Sequence, residues 1–489
     1  MESDTLPLQR KKRQYQRSTT GCIMCRTRKK KCDELHPICT GCQRNGLICE
    51  WPSAERPQRK PRRSQHHHLS QIGYALPPHI EAMITVFAVP NADMASRLLS
   101  HFTDYSPRWL STRTGRRRSE FLNHLIPAAM DSPLILKCML TVSAADLIKY
   151  DPSNVGLKGA AVEYYGQALA SLREAIADEE RSGSSPSVAD YTLLAVLLIC
   201  LHEIQNFTSV HRLLPHLNAA AALFSHKLDA TTAPPNSQLR QLLSDLFSYF
   251  FALTTFTHGP HLALHRGSSI LETYLTTTPP SPNNPNKDPS PGTGAILGTA
   301  QQIFLIIFRA SHLIQLAKQT RTPLTAAMKT KLTAMERQLH ALQNRTLPPF
   351  NQGYADVEEQ GDAIMSELYR LACILYLKRT IDPAVGIKNH AIQAIVTDFI
   401  RLLELLPPHH PVNCILCWPL VVAGLCTTLH AHQRVITTRL GQIYGVWTSD
   451  LVTMSMKLLW RVQAGGDELR SANVGGYGMH DLEFAMVLL

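Results

Sequence analysis

No stretch of the 489-residue chain is apolar for the roughly 20 residues that a membrane-spanning helix needs. Leu193–Leu201 runs into His202 and Glu203, and Val412–Leu429 is interrupted by Asn413, Pro419 and two threonines. Both read as buried core helices, so no membrane partner is expected. The first residues are polar and basic and lack the apolar segment of a secretory leader. Nothing therefore points to an oxidising compartment, and a disulfide framework is not expected for the 12 cysteines. Strand-like alternation is nearly absent, which argues against a sheet-based body. No solenoid repeat of fixed period stands out. No catalytic constellation stands out either, so the chain is not expected to be an enzyme. Residues 80–105 lack sustained heptads with charged flanks. That leaves the oligomeric state open, a homodimer being one possible state.

Acidic residues are scarce in one region only. Residues 1–70 hold 16 Lys and Arg against 6 Asp and Glu, a net of +10, whereas the remaining 419 hold 33 against 32, a net of +1. Nearly all of the chain's +11 thus sits in one small N-terminal segment. Such concentration is the electrostatic footprint of a polyanion-binding region, or else of a solvated basic tail.

The sequence divides accordingly. Residues 1–19 read as a basic disordered tail centred on Arg10-Lys11-Lys12-Arg13, and residues 20–52 hold six cysteines. Residues 53–79 form a Pro-, Arg- and Lys-rich linker containing His66-His67-His68, too polar to bury a core. From about residue 80 to 489 the pattern is helical. Apolar residues recur at helical spacing over Pro133–Tyr150, Lys158–Glu180, Val188–Phe207, Val210–Lys227 and Ser237–His258. The same holds for Ala295–Gln319, Asp356–Ile381, Ile387–Leu406, Asn413–His430 and Ser449–Gln463. Six prolines in 276–294 predict a disordered loop there. The expected fold is a small, loop-rich, six-cysteine domain with two short helices, followed by a large all-α domain.

The six N-terminal cysteines follow the spacing Cys22-x2-Cys25-x6-Cys32-x6-Cys39-x2-Cys42-x6-Cys49, which is an internal repeat of two eleven-residue halves. A two-residue gap lets two thiolates turn onto one metal, and the six-residue gap lets a short helix return the third. Structural zinc is tetrahedral. Two zinc ions need eight ligand positions and six sulfurs supply six, so two thiolates must bridge, one from each half by the symmetry of the repeat. Six thiolates and two Zn2+ sum to −2, which neighbouring cations would offset. With so few residues there is no independent hydrophobic core, and metal binding must supply the folding free energy. The rival arrangement places one zinc among Cys22, Cys25, Cys39 and Cys42 and leaves Cys32 and Cys49 unexplained.

The halves differ in charge. Arg26-Thr27-Arg28-Lys29-Lys30-Lys31 carries five cations in six residues, whereas the matching segment Gln43–Ile48 carries one. Arg26, Arg28, Lys29, Lys30 and Lys31 are therefore the candidate contacts to double-stranded DNA. One or two of them would donate to guanine O6 and N7 in the major groove, and the others would contact phosphates and set register.

The segment from Thr20 to Pro52 resembles the fungal binuclear zinc-cluster family of transcription factors. It matches all six cysteines, the basic Cys-Arg-x-Arg-Lys-x-Lys-Cys pattern from Cys25 to Cys32, and the proline, Pro37, two residues before the fourth cysteine. The resemblance implies a pair of zinc ions bridged by Cys22 and Cys39, with Cys25 and Cys32 completing one site and Cys42 and Cys49 the other. It also implies that Lys29 reads bases beside Arg28, and that the target is a CGG-type triplet, single or in paired half-sites. A nuclear location and control of RNA polymerase II genes go with it, and Arg10–Arg17 and Arg56–Arg63 suit nuclear import signals.

The helical region resembles, more loosely, the regulatory domain of the same factors. The likeness rests on Leu98-Leu99-Ser100-His101-Phe102, Leu134–Leu147, Ala161–Leu172 and Trp418-Pro419-Leu420 with Ala423-Gly424. It implies contacts with the transcription machinery, regulatory proteins or effectors. The rival reading is a helical effector-binding or interaction protein whose zinc module serves protein contacts, a role that does not need a one-sided basic loop. His202, His211 and His216 read as core or surface groups, and Cys414-x2-Cys417 as buried packing. Met479–Leu489 mixes acids with large apolar residues, as a short activation segment or a packed terminal helix would.

Overall fold

The structure is a computed structural model of the full chain. It describes residues 21–22, 25, 30–35, 39–44, 84–87 and 89–464, except 115–117, 183–185, 207–209, 230–237, 259–261, 263, 277–295, 321 and 344–353. The chain divides into two compact units, Met1–Gly73 and Tyr74–Leu489. In the first, helix α1 spans Thr40–Arg44.

The second unit is built from helices, with no strand among the described residues. In chain order they are α2 (Ala92–Tyr105), α3 (Leu122–Asp131), α4 (Pro133–Tyr150), α5 (Val155–Ser182), α6 (Pro186–Gln205), α7 (Val210–Asp229) and α8 (Gln238–His258). Then come α9 (Leu264–Thr276), α10 (Gln301–Gln319), α11 (Ala326–Ala341), α12 (Tyr354–Ile381) and α13 (His390–Leu405). The set ends with α14 (Cys417–Cys426), α15 (His430–Val446) and α16 (Asp450–Ala464). The loop expected from residue 276 starts later, because Thr276 closes α9, and the rest of that loop lies outside the described residues. The expected helix Asn413–His430 is broken. Pro411–Ile415 form a 3-10 turn, α14 ends at Cys426, and His430 already opens α15.

Two helices organise the packing. Thirteen of the 18 residues of α4 are buried. A helix apolar on all sides has to be central, and α2, α3, α5 and α6 surround it. Its start is set by Pro133 at the first position, where no amide partner is needed. Toward the C-terminus, all 10 residues of α14 are buried, packed among α12, α13, α15 and α16. Between these centres lies the close pair α8–α10, and α16 returns to touch α6, so the unit has one continuous core. Two glycines permit the tightest crossings. A Cβ on Gly267 of α9 would lie 2.0 Å from the Phe251 ring of α8, and one on Gly424 of α14 would lie 2.8 Å from Leu459 of α16.

His202 and Cys414-x2-Cys417 belong to this core. His202 is buried and stacks on Tyr165 with ring centres 4.7 Å apart. Cys414 and Cys417 are buried, and the Cys417 sulfur lies 3.0 Å from the Ser455 hydroxyl. Burial, with help from Arg212, pushes the His202 imidazole down to about 4. The unfolded chain therefore binds a proton that the folded one refuses between pH 6.5 and about 4. The resulting stability is full above pH 6.5 and is lost as pH falls through that window. Urea unfolding at pH 5 should show His202 costing about 1–2 kcal/mol relative to pH 7. His202→Gln should flatten that part of the slope.

Candidate metal centre and nucleic-acid interface

Five of the six expected ligands lie among the described residues, and all five are buried: Cys22, Cys25, Cys32, Cys39 and Cys42. Cys49 lies outside them. The fold brings four sulfurs together, those of Cys22, Cys25, Cys39 and Cys42, all within 4.8 Å of one another. The close pairs are Cys22–Cys39 at 3.7 Å, Cys22–Cys42 at 3.7 Å and Cys25–Cys39 at 3.6 Å. A zinc–sulfur bond of about 2.3 Å puts neighbouring corners of a regular tetrahedron about 3.8 Å apart. The donor set and its spacing therefore fit zinc.

Cys32 belongs to a second grouping. Its sulfur, the Asp33 carboxylate and the Cys39 sulfur lie within 4.8 Å of one another. Cys39 is thus the sulfur common to both sets. The four-sulfur group is the one that a single zinc would use, and Cys32 adjoins it through Cys39.

Local backbone structure explains how the sulfurs are held. The amides of Cys25 and Cys42 donate to the sulfurs of Cys22 and Cys39 at 3.4 and 3.3 Å, so each Cys-x2-Cys pair closes on its own first thiol. The Cys22 amide donates to the Cys32 sulfur at 3.4 Å. Between Cys32 and Cys39 the chain bends at Glu34, whose φ is +60°. Asp33, which the cysteine pattern does not single out, accepts the Thr40 amide at 3.1 and 3.3 Å and so fixes the entry to α1. The Thr40 hydroxyl, and after it the Thr40 amide, hold the Asp33 carboxyl below the usual carboxylate range. On Gly41, a Cβ would make only ordinary contact with the Cys25 and Cys39 sulfurs, at 3.6 and 3.9 Å.

The cluster holds its thiols unequally. Burial, with the Cys39 and Cys22 thiols, pushes the Cys25 thiol up to about 12. Cys39 differs. Burial acts to raise it, but the amide of Cys42 and the Cys42 and Cys25 thiols outweigh burial and hold it below the usual thiol value. A bound metal would override this difference, because a coordinating thiol deprotonates outright.

Of the candidate DNA contacts, Lys30 and Lys31 are exposed beside Cys32. The Lys30 amide donates to the Cys25 carbonyl at 3.0 Å, so both ends of the cationic segment are anchored to the cluster. Arg26, Arg28 and Lys29 lie outside the described residues. So do Arg10–Arg17, Arg56–Arg63, His66–His68 and Met479–Leu489.

Residues 97–473, more than three-quarters of the chain, match the fungal specific transcription factor domain. The chain belongs to that family. In this chain, residues 20–60 match the fungal Zn(2)-Cys(6) binuclear cluster domain, which implies that the cysteines bind zinc. Neither matched family is described as catalytic. The factor is similar to Transcription factor lfc1 of Flammulina velutipes, 48% identical over 52 residues, covering 11% of this chain and 18% of the relative. It is similar to the Zn(2)-C6 fungal-type transcription factor afumD of Aspergillus fumigatus, 26% identical over 204 residues, 40% of this chain and 49% of the relative. Over 41 residues it is 54% identical to Transcriptional regulatory protein pro1 of Neurospora crassa, 8% of this chain and 6% of the relative. The matched segments span half or less of the length of these curated relatives. No solved structure matches the chain. Among the described residues, no helix is long and apolar enough to cross a membrane.

Proposed function

We propose that the chain is a nuclear, zinc-dependent regulator of RNA polymerase II transcription that reads CGG-type triplets in the major groove of duplex DNA. The observation that carries this reading is the buried sulfur cluster, spaced for zinc, with exposed Lys30 and Lys31 tethered to it. Five cations in six residues on one half of the repeat, and one on the other, give the module a single DNA-facing side. A zinc module used for protein contacts has no need of that asymmetry, which weighs against the rival reading.

The metal count proposed is two. Cys22 and Cys39 bridge, Cys25 and Cys32 complete one site, and Cys42 and Cys49 complete the other. The position of Cys39 in both sulfur groupings supports its bridging role. Arg26, Arg28, Lys29, Lys30 and Lys31 form the DNA-facing set, with Lys29 reading bases and the others chiefly holding phosphates. The division into a basic tail, cluster, linker and helical regulatory region stands as the proposed domain plan. The helical region would receive signals from regulatory proteins or the transcription machinery.

Selection of bound duplexes from a random pool with the full zinc-loaded chain tests the reading. Enrichment of CGG-type triplets is expected, with affinity falling steeply as salt rises. In Lys29→Ala, discrimination at the triplet should drop by about 1–3 kcal/mol. An unenriched pool would instead favour the protein-contact module.

A further inference from the structure

The helical unit contains a cavity of about 290 Å³ whose charged lining is of one sign. Three parts of the chain build it: the turn at Arg108 with nearby Arg118, the segment 408–414, and the end of α15 from Ile443 to Trp447. No Asp or Glu lines it. Arg118 donates its Nε to the Pro107 carbonyl at 3.0 Å, which leaves its two terminal nitrogens for another acceptor. Arg108 sits over the Tyr105 ring at 4.5 Å. Among the described residues no carboxylate is ion-paired with either guanidinium, although Asp104 feels Arg108 at longer range. The two cations also act on each other, and burial together with Arg108 holds the Arg118 guanidinium below its ordinary value. Trp447 is buried in the same lining, and its indole N–H has no hydrogen-bond partner.

The walls are fixed. Asn413 donates to the carbonyls of Pro407, Pro408 and His410, and its own oxygen accepts Arg439 at 2.8 Å. Arg439 further donates to the carbonyls of Leu403 and Leu406, so the 407–413 turn is tied to α13 and α15. The His410 ring is seated against Gly361 of α12, where a Cβ would come within 2.1 Å. The 407–413 wall of the cavity is therefore preorganised, and like charges have been gathered in the lining without a counter-ion from the described chain.

We infer that this cavity binds a small organic carboxylate, held by the guanidiniums of Arg108 and Arg118 and the indole N–H of Trp447. The volume is close to the lower end for small-molecule sites. Guanidinium forks match a carboxylate bidentately. Ile443 and Val446 give the ligand an apolar wall, which suits an organic acid better than a strongly hydrated inorganic phosphate. Because the lining comes from both the first and the last thirds of the body, a bound acid would tie them together and stabilise the unit by mass action. The inference does not depend on the DNA-binding reading.

Calorimetric titration and thermal unfolding of the full zinc-loaded chain test it, with succinate, benzoate and inorganic phosphate as probes at matched ionic strength. Saturable binding of at least one carboxylate is expected, one per chain, with a rise in melting temperature. Arg118→Ala should weaken it about tenfold or more, the loss expected for a charge-assisted contact. Arg108→Ala, at an exposed position, should do the same and keeps the test open if Arg118→Ala folds poorly. No saturable binding of either carboxylate would overturn the inference. So would binding that both variants leave unchanged, or binding of phosphate alone.

Discussion

Stripping zinc from the chain with a strong chelator, or replacing Cys39 with serine, is expected to abolish specific DNA binding. Cys39 is the sulfur common to both groupings, so under the proposed two-ion arrangement its loss damages both metal positions at once. Among the described residues, the cluster has no apolar core beyond its own cysteines. Its folding free energy must come from the metal, for which structural zinc in small domains supplies about 10–16 kcal/mol at neutral pH. Specific affinity should therefore fall on the order of 10³-fold or more, to the level of nonspecific binding. Duplex titration at fixed salt reads this loss, and elemental analysis should return two equivalents of zinc before stripping and at most one in Cys39→Ser. A single equivalent in the unaltered chain would favour the four-sulfur site of Cys22, Cys25, Cys39 and Cys42. Far-UV circular dichroism should change little, because the helical unit has its own core.

Arg113→Ala is the substitution expected to cost the helical unit most. Its guanidinium is only 2% exposed and donates Nη1 to Asp362 at 2.6 Å and to Glu358 at 3.3 Å. Burial acts to lower the Arg113 pKa, but the two carboxylates outweigh it and hold the group above its ordinary value. The same junction secures the chain on both sides. Thr114 donates its amide and hydroxyl to Glu358, and the amides of Ile296 and Leu297 donate to Asp245. Gly298 turns there with φ of +52°, against the Asp362 carboxylate. Removing one partner of a buried pair leaves an uncompensated charge, which costs about 3–5 kcal/mol. Urea unfolding should show that loss. The double change Arg113→Met with Asp362→Leu should recover part of it, since of the three charges only that of Glu358 then remains, still bound by the Thr114 amide and hydroxyl. If the double variant were less stable than Arg113→Ala, the ion-pair account would fail.

The comparison of expected and observed helices shows where periodicity carries information. The strongly apolar stretches were legible because their residues face a core on one or all sides. Pro133–Tyr150 coincides with α4 to the residue. The short α3 and α9 helices were not legible, because Pro127 and Gly267 interrupt a period of only 10 and 13 residues, whereas the 20-residue α7 shows its period despite Pro215. Pro127 is on the solvent face of α3, where helix carbonyls tilt outward, and Gly267 is required by the Phe251 ring. The α11 helix escaped notice for another reason: it is largely polar, with only Leu332 and Leu339 buried.

The sequence by itself determined the chemistry of the metal module, because ligand type and spacing are local and a tetrahedral ion accepts few arrangements. It also determined the helical class of the body, because a 3.6-residue period is written along one segment at a time. Only the tertiary structure decided which sulfurs meet, with Cys39 common to both groupings and Asp33 holding the turn between them. The fold alone likewise gathered Arg108, Arg118 and Trp447 around one cavity, and Arg113 with Asp362 and Glu358 in one junction. Those partners are separated by up to hundreds of residues, and no local pattern encodes which distant charges the packing of helices will bring together.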